Sequence, residues 1–236
     1  MFHVKICGVT TAADAAMVAA AGADAIGLNF VAGSPRQLDL ARGRDVAAAI
    51  PAGVLRVGVF AGASAADMMQ IVHRLSLDAI QLHGHLDAGQ MPYDPPERCG
   101  QLEGLPVIRA VRLETSSPGT DPLASARQWF LEATAAGGTP VMAIVDAAVA
   151  RGTTAGQLGG TGERVDWTAL ARAGVLPVPM AVAGGLTPDN VAEAIRLTGL
   201  SAVDTASGVE AAPGRKDPEK VRAFVAAARR GFEALG

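Results

Sequence analysis

The chain has 236 residues, half of them hydrophobic, which supplies a large core and excludes a disordered segment. Its formal net charge is −3 with 18% charged residues, so it carries no basic footprint for nucleic acid or an anionic membrane. No apolar run reaches the ~18 residues of a membrane span, residues 1–5 lack the basic-then-apolar order of a secretory signal, and two cysteines, Cys7 and Cys99, are too few for a disulfide framework; the expectation is one cytoplasmic, enzyme-like domain over residues 1–236.

In chain order, a short apolar run at 3–7 ends in Cys7-Gly8 and leads to a helix predicted over 11–21. Thr11-Ala12-Ala13-Asp14 caps it with a hydroxyl and a carboxylate three residues apart, and Gly22 stops it. A second run at 25–30 is followed by Ser34-Pro35-Arg36 and a helix over 39–49. A third run at 54–60 meets the cap Ser64-Ala65-Ala66-Asp67 and a helix over 64–75. The fourth run, 79–82, ends at His83. The helical stretch after it, 88–103, contains Pro92, Pro95 and Pro96 and cannot be continuous. Strand 106–112 precedes Asp121-Pro122 and a helix over 122–136. Strand 141–145 is closed by Asp146, and 147–165 is a long segment without obvious structure, as lids and binding loops are. After a helix over 166–173 come strand 179–183, Gly184-Gly185, and Thr187-Pro188 opening a helix over 188–198. The last unit is strand 202–204, Ser207-Gly208, and a helix over 218–233 capped by Asp217.

The runs are apolar on both faces, as strands of a helix-covered parallel sheet are. Eight alternations of strand and helix predict an α/β fold of the (β/α)8 TIM-barrel type. An open doubly wound sheet would want Gly-x-Gly-x-x-Gly after its first strand, and Cys7-Gly8-Val9-Thr10 stands there instead.

Activity in such barrels sits at the carboxyl ends of the strands. The glycine loops after strands seven and eight, Gly184-Gly185 and Ser207-Gly208, are placed to bring backbone amides to a phosphate, with Gly159-Gly160 of the long segment as a further donor. Arg36 carries a planar fork suited to a carboxylate. Cys7 is a strand-mouth thiol whose thiolate fraction a nearby cation would raise, and Lys5, two residues earlier, shares its side of the strand. Asp146 is a general acid only with a raised pKa. Asp204 either orients the Ser207 loop or contacts a substrate hydroxyl, and His83 is as consistent with the core as with catalysis. The histidines have no ligand spacing, so no metal site is expected.

These residues, taken together, resemble the phosphoribosylanthranilate isomerase family of tryptophan biosynthesis over nearly the whole chain. The resemblance is carried by Lys5-Ile6-Cys7-Gly8, Ser34-Pro35-Arg36, Gly58-Val59-Phe60, Gln81-Leu82-His83-Gly84, Val145-Asp146, Gly159-Gly160-Thr161-Gly162, Ala183-Gly184-Gly185-Leu186-Thr187-Pro188, and Asp204 with Ser207-Gly208-Val209-Glu210 and Lys216-Asp217. It implies a cofactor-free Amadori rearrangement of a small phosphosugar, with Asp146 as general acid, Cys7 as general base, and Arg36 on the anthranilate moiety. It also implies that 159–160, 184–185 and 207–208 hold the phosphate, and that His83 and Asp204 lie near the substrate. Alternatives from the residues are the parallel histidine-pathway isomerase, a dual-substrate version, or a phosphosugar-binding barrel without catalysis. An aspartate in place of Cys7 would be expected of the histidine-pathway enzyme. Apolar outer helix faces fit a monomer or a homodimer.

Overall fold

The two-sided apolar runs become strands, laid side by side in chain order with helices between most of them. In the computed structural model, which describes residues 1–84, 94–113, 121–146 and 167–235, the strands are β1 Val4–Cys7, β2 Ala25–Asn29, β3 Leu55–Phe60, β4 Ala79–Leu82, β5 Pro106–Arg112, β6 Thr139–Asp146, β7 Met180–Val182 and β8 Val203–Thr205. All neighbours are parallel, and β8 pairs back onto β1, with Val4 opposite Val203 and Lys5 opposite Asp204, so the sheet is a closed eight-stranded barrel. The helices are α1 Ala12–Ala20, α2 Leu40–Ala48, α3 Ala65–Leu75, α4 Ala124–Ala135, α5 Trp167–Arg172, α6 Val191–Thr198 and α7 Pro218–Glu233. The chain is a (β/α)8 barrel. No helix among the described residues is long and apolar enough to cross a membrane.

Several helix starts follow the predicted capping chemistry. Thr11 accepts from the Asp14 amide at 3.1 Å, Ser64 from Asp67 at 3.1 Å, and Asp217 from Glu219 and Lys220 at 2.9 and 3.1 Å. Two expectations are corrected. Thr187-Pro188 does not open α6: Asn190 is its cap, and the Asn190 carboxamide oxygen accepts from the Thr187 amide at 2.8 Å. Asp121 bonds the Leu123 amide at 2.9 Å, which makes a turn and delays α4 to Ala124. Among the described residues, the fourth helical place, already expected to be broken by its prolines, holds a 3-10 turn, Pro96–Gln101; residues 85–93 lie outside the described residues. A short hairpin, β9 Glu210–Ala212 with β10 Arg215–Lys216, was not expected.

Alternation along the strands divides the apolar residues between two cores. Outward positions such as Val4, Ile6, Ile26, Leu28, Ile80 and Leu82 pack under the helices. Inward positions, among them Ala25, Val57, Ala79, Ile108, Ile144 and Ala181, fill the barrel centre. Lys5, Gln81 and Asp204 are buried polar residues on these strands. Burying such groups is costly unless they are matched.

Candidate active site

At the carboxyl ends of the strands lies a cavity of about 360 Å³. It brings together Cys7, Arg36, His83, Gly184, Gly185, Asp204 and Ser207 from loops far apart in sequence. Gly208 is not part of its lining. A side chain at Gly208 would meet the Leu186 carbonyl oxygen at 1.8 Å, so its glycine serves the close approach of the loops after β7 and β8. Thr205 joins the same two loops by donating to the Leu186 carbonyl at 2.8 Å. Asp146 is the last residue of β6, opposite Arg112 of β5; its side chain, and Gly159 and Gly160, lie outside the described residues.

The first strand sets the thiol. Cys7 is half-buried at the end of β1, and Gly27 of β2 makes room for it: a Cβ there would stand 2.7 Å from Cys7 Sγ and 3.2 Å from Lys5 Nζ. The ammonium of Lys5, fully buried, donates to Asp204 at 2.9 Å. Burial opposes the charge on Lys5, yet Asp204 and Cys7 beside it raise its pKa above the ordinary lysine value. Desolvation pushes the Cys7 thiol up, and the Lys5 charge takes back only part of the shift. The cation foreseen next to Cys7 is therefore present, but desolvation outweighs its effect on the thiol.

Arg36 is neither solvated nor loose. Its Nε and Nη2 donate to the two Glu210 oxygens at 2.8 and 2.7 Å, a bidentate pair with fixed geometry. Its alkyl stem lies over Gly8, where a Cβ would fall 2.3 Å from Arg36 Cδ and the φ of +70° also favours glycine. Lys216, buried, donates to Glu210 at 2.9 Å and to the Ala206 carbonyl at 3.0 Å. Burial alone would raise the Glu210 carboxyl, but Arg36 and Lys216 hold it below the usual carboxylate range. Burial lowers the Lys216 pKa against the pull of Glu210.

The loop after β7 has two successive left-handed residues, Gly184 at φ +83° and Gly185 at +63°, a conformation that turns consecutive amides to one side. Asn190 braces it by donating to the Gly185 carbonyl at 3.0 Å. The sequence reading gave no role to Gln81, Glu210, Lys216 or Asn190. Glu210, Lys216 and Asn190 take their roles from partners that residue type does not encode.

A model of the N-(5'-phosphoribosyl)anthranilate (PRA) isomerase family matches residues 4–227. The chain is 41% identical over 228 residues to the N-(5'-phosphoribosyl)anthranilate isomerase of Neisseria meningitidis (serogroup C, strain FAM18), with 97% of each covered. It is 42% identical over 227 residues to that of Myxococcus xanthus, with 96% of each covered. Among solved structures, a phosphoribosyl anthranilate isomerase in complex with reduced 1-(o-carboxyphenylamino)-1-deoxyribulose 5-phosphate has a TM-score of 0.75 at 28% identity, covering 98% of this chain and 100% of that one. The enzyme from Thermus thermophilus has a TM-score of 0.74 at 30% identity, covering 97% and 98%. A closed barrel with a thiol, a held guanidinium and paired glycine loops at one mouth agrees with these likenesses, and the chain belongs to the phosphoribosylanthranilate isomerase family.

Proposed function

We propose that this protein isomerises N-(5'-phosphoribosyl)anthranilate to 1-(2-carboxyphenylamino)-1-deoxyribulose 5-phosphate in tryptophan biosynthesis. The observation that carries the reading is one cavity with a site for each end of that substrate. The paired left-handed glycines after β7 and Ser207 after β8 suit a phosphate. Arg36 suits the carboxylate: Glu210 occupies its Nε–Nη2 edge, and Nη1 makes no hydrogen bond among the described residues. Net charge supports the same end. Arg36 and Lys216 against Glu210 leave one positive charge for an anion to complete.

The chemistry needs an acid and a base on the sugar between those ends. Asp146, protonated, gives its proton to the furanose ring oxygen. The C1'–O4' bond breaks as the nitrogen lone pair forms the C1'=N iminium. Cys7, as thiolate, removes the proton from C2', and the electron pair of that bond forms C1'=C2' and neutralises the nitrogen. The enolamine then loses its C2' hydroxyl proton and gains one at C1', giving the ketone. No atom is gained or lost overall. The substrate's own nitrogen is the electron sink, so the reaction as written draws on no cofactor. Lys5, held by Asp204, favours the thiolate at the moment it forms.

The test is to generate phosphoribosylanthranilate in situ from anthranilate and phosphoribosyl pyrophosphate with an auxiliary transferase, then follow loss of its fluorescence. The parent protein is expected to consume it rapidly, and Cys7→Ala and Asp146→Asn to lose at least about a hundredfold in kcat with the fold retained. Rapid decay with Cys7→Ala would keep the reaction and remove the base assignment. A folded parent that leaves the fluorescence unchanged would defeat the isomerase reading and favour a phosphosugar binder.

A further inference from the structure

We propose that Gln81 is a further substrate-contacting residue, its amide hydrogen-bonding a hydroxyl or the bridging amine at the sugar–anthranilate junction; this rests on the isomerase reading above. Gln81 lies on β4 between Val59 of β3 and Ile108 of β5. Two residues before it on the same strand, Ala79 belongs to the apolar filling of the barrel centre. Packing at that level calls for a branched aliphatic side chain. A glutamine stands there instead, 1% exposed and lining the cavity.

Other polar side chains of the cavity wall are matched: Asp204 has Lys5, Arg36 has Glu210, and Asn29 accepts from the Val31 amide at 2.8 Å and donates to the Ser34 hydroxyl at 3.2 Å. Gln81 is different: its buried Oε1 has no hydrogen-bond partner among the described residues. Buried polar atoms are nearly always satisfied, and an exception in a ligand cavity points to a partner that arrives with the ligand.

Topology says which part of the ligand that is. In the closed strand order β4 stands opposite β8. The phosphate end belongs to the loops after β7 and β8, and the carboxylate end to Arg36 after β2. An amide rising from β4 therefore meets the middle of the molecule from the side away from the phosphate. The donors there are the ribose hydroxyls and the bridging N–H. A carboxamide both accepts and donates, so it can discriminate a ligand with those groups from one without them.

The experiment uses Gln81→Met, which keeps the length and volume of the side chain and removes only its polar atoms. Three readings are taken on parent and variant: thermal midpoint, affinity for reduced 1-(o-carboxyphenylamino)-1-deoxyribulose 5-phosphate by calorimetry, and affinity for inorganic phosphate. The expected result is a Tm unchanged or raised by roughly 2–4 °C, because an unmatched buried atom is gone. The analogue should bind roughly tenfold more weakly, with phosphate affinity unchanged and turnover showing a raised KM. Unchanged analogue affinity would overturn the proposal and leave Gln81 with a buried water only. A lower Tm with analogue and phosphate weakened alike would make Gln81 structural and overturn it too. A parent that neither turns over phosphoribosylanthranilate nor binds the analogue would remove the isomerase reading itself, and this proposal with it.

Discussion

At the scale of single residues the site is governed by one competition, burial against neighbouring charge. Cys7 is the clearest case. Desolvation raises its pKa, Lys5 lowers it, and Asp204 raises it again by holding a negative charge beside the same sulfur. The sign for activity follows directly. A base with a pKa above the ordinary thiol value is active only as it deprotonates, so kcat/KM should climb from neutral into alkaline pH rather than level off near pH 7. Replacing the pair together, Lys5→Met with Asp204→Asn, removes both charges without stranding either one in the barrel. Because Lys5 is the stronger influence on the thiol, the double variant should raise its pKa further. Alkylation of Cys7 by iodoacetamide, followed by mass spectrometry against pH, reads this in the free protein; Cys99, buried with its thiol pushed up to about 11, serves as a slow internal control. The Cys7 profile should move toward alkali. A profile that stays in place would mean that Lys5 does not tune the thiol.

At the scale of elements, glycines decide how closely loops can approach, and that is where residue type misleads most easily. Gly208 reads in the sequence as one more phosphate loop glycine, but its place is against the Leu186 backbone. Gly208→Ala forces the loops after β7 and β8 apart, since carbonyl and methyl cannot share 1.8 Å. Inorganic phosphate should then bind at least about tenfold more weakly, while Tm falls by only a few degrees; equal phosphate affinity by calorimetry would show that the two loops bind independently. The same contrast explains what was legible. Strands were readable because their runs are apolar on both faces, and the places of Gly184, Gly185 and Arg36 at the cavity because a barrel gathers its strand ends at one mouth. The hairpin β9–β10 was not, although Pro213-Gly214 marks a turn. Its residues are mostly exposed, and it is held from outside: Thr10 donates to the Gly214 carbonyl at 2.5 Å and Asp14 accepts from the Lys216 amide at 3.2 Å. Arg36 was legible as a carboxylate fork, whereas its partner Glu210, 174 residues away, is specified only by the closed barrel. The cap at Asn190 was missed because Thr187-Pro188 offers a good local signal three residues early, and the tertiary brace to Gly185 wins.

At the scale of the whole molecule, the barrel closes only when the last unit returns to the first, and α7 carries that return. Its buried face, Val221, Phe224, Val225, Ala227, Ala228 and Gly231, packs against α6 and α1. Arg229 on the same helix bonds the Gly22 carbonyl and the Asp24 carboxylate. Asp24 in turn accepts from the His3 and Val4 amides at 2.9 and 2.7 Å, so α7 reaches the start of β1 through two side chains. Burying the three large side chains of that face contributes about 5–9 kcal/mol at ~1.5–3 kcal/mol each. This is comparable to the whole net stability of ~5–15 kcal/mol expected for a domain. A chain ending at Asp217 should therefore lose its near-ultraviolet circular dichroism and show no cooperative transition by calorimetry, with its strands and the proposed catalytic residues all still encoded. Phe224→Ala is the graded version, expected to cost roughly 3–5 kcal/mol and to leave a folded protein with a lower midpoint and the parent's kcat, because its side chain lies under a helix and not at the mouth of the barrel. A truncated chain with a sharp transition near the parent's midpoint would show that the β8–β1 pairing closes the barrel unaided, and that α7 is a cover rather than a clasp.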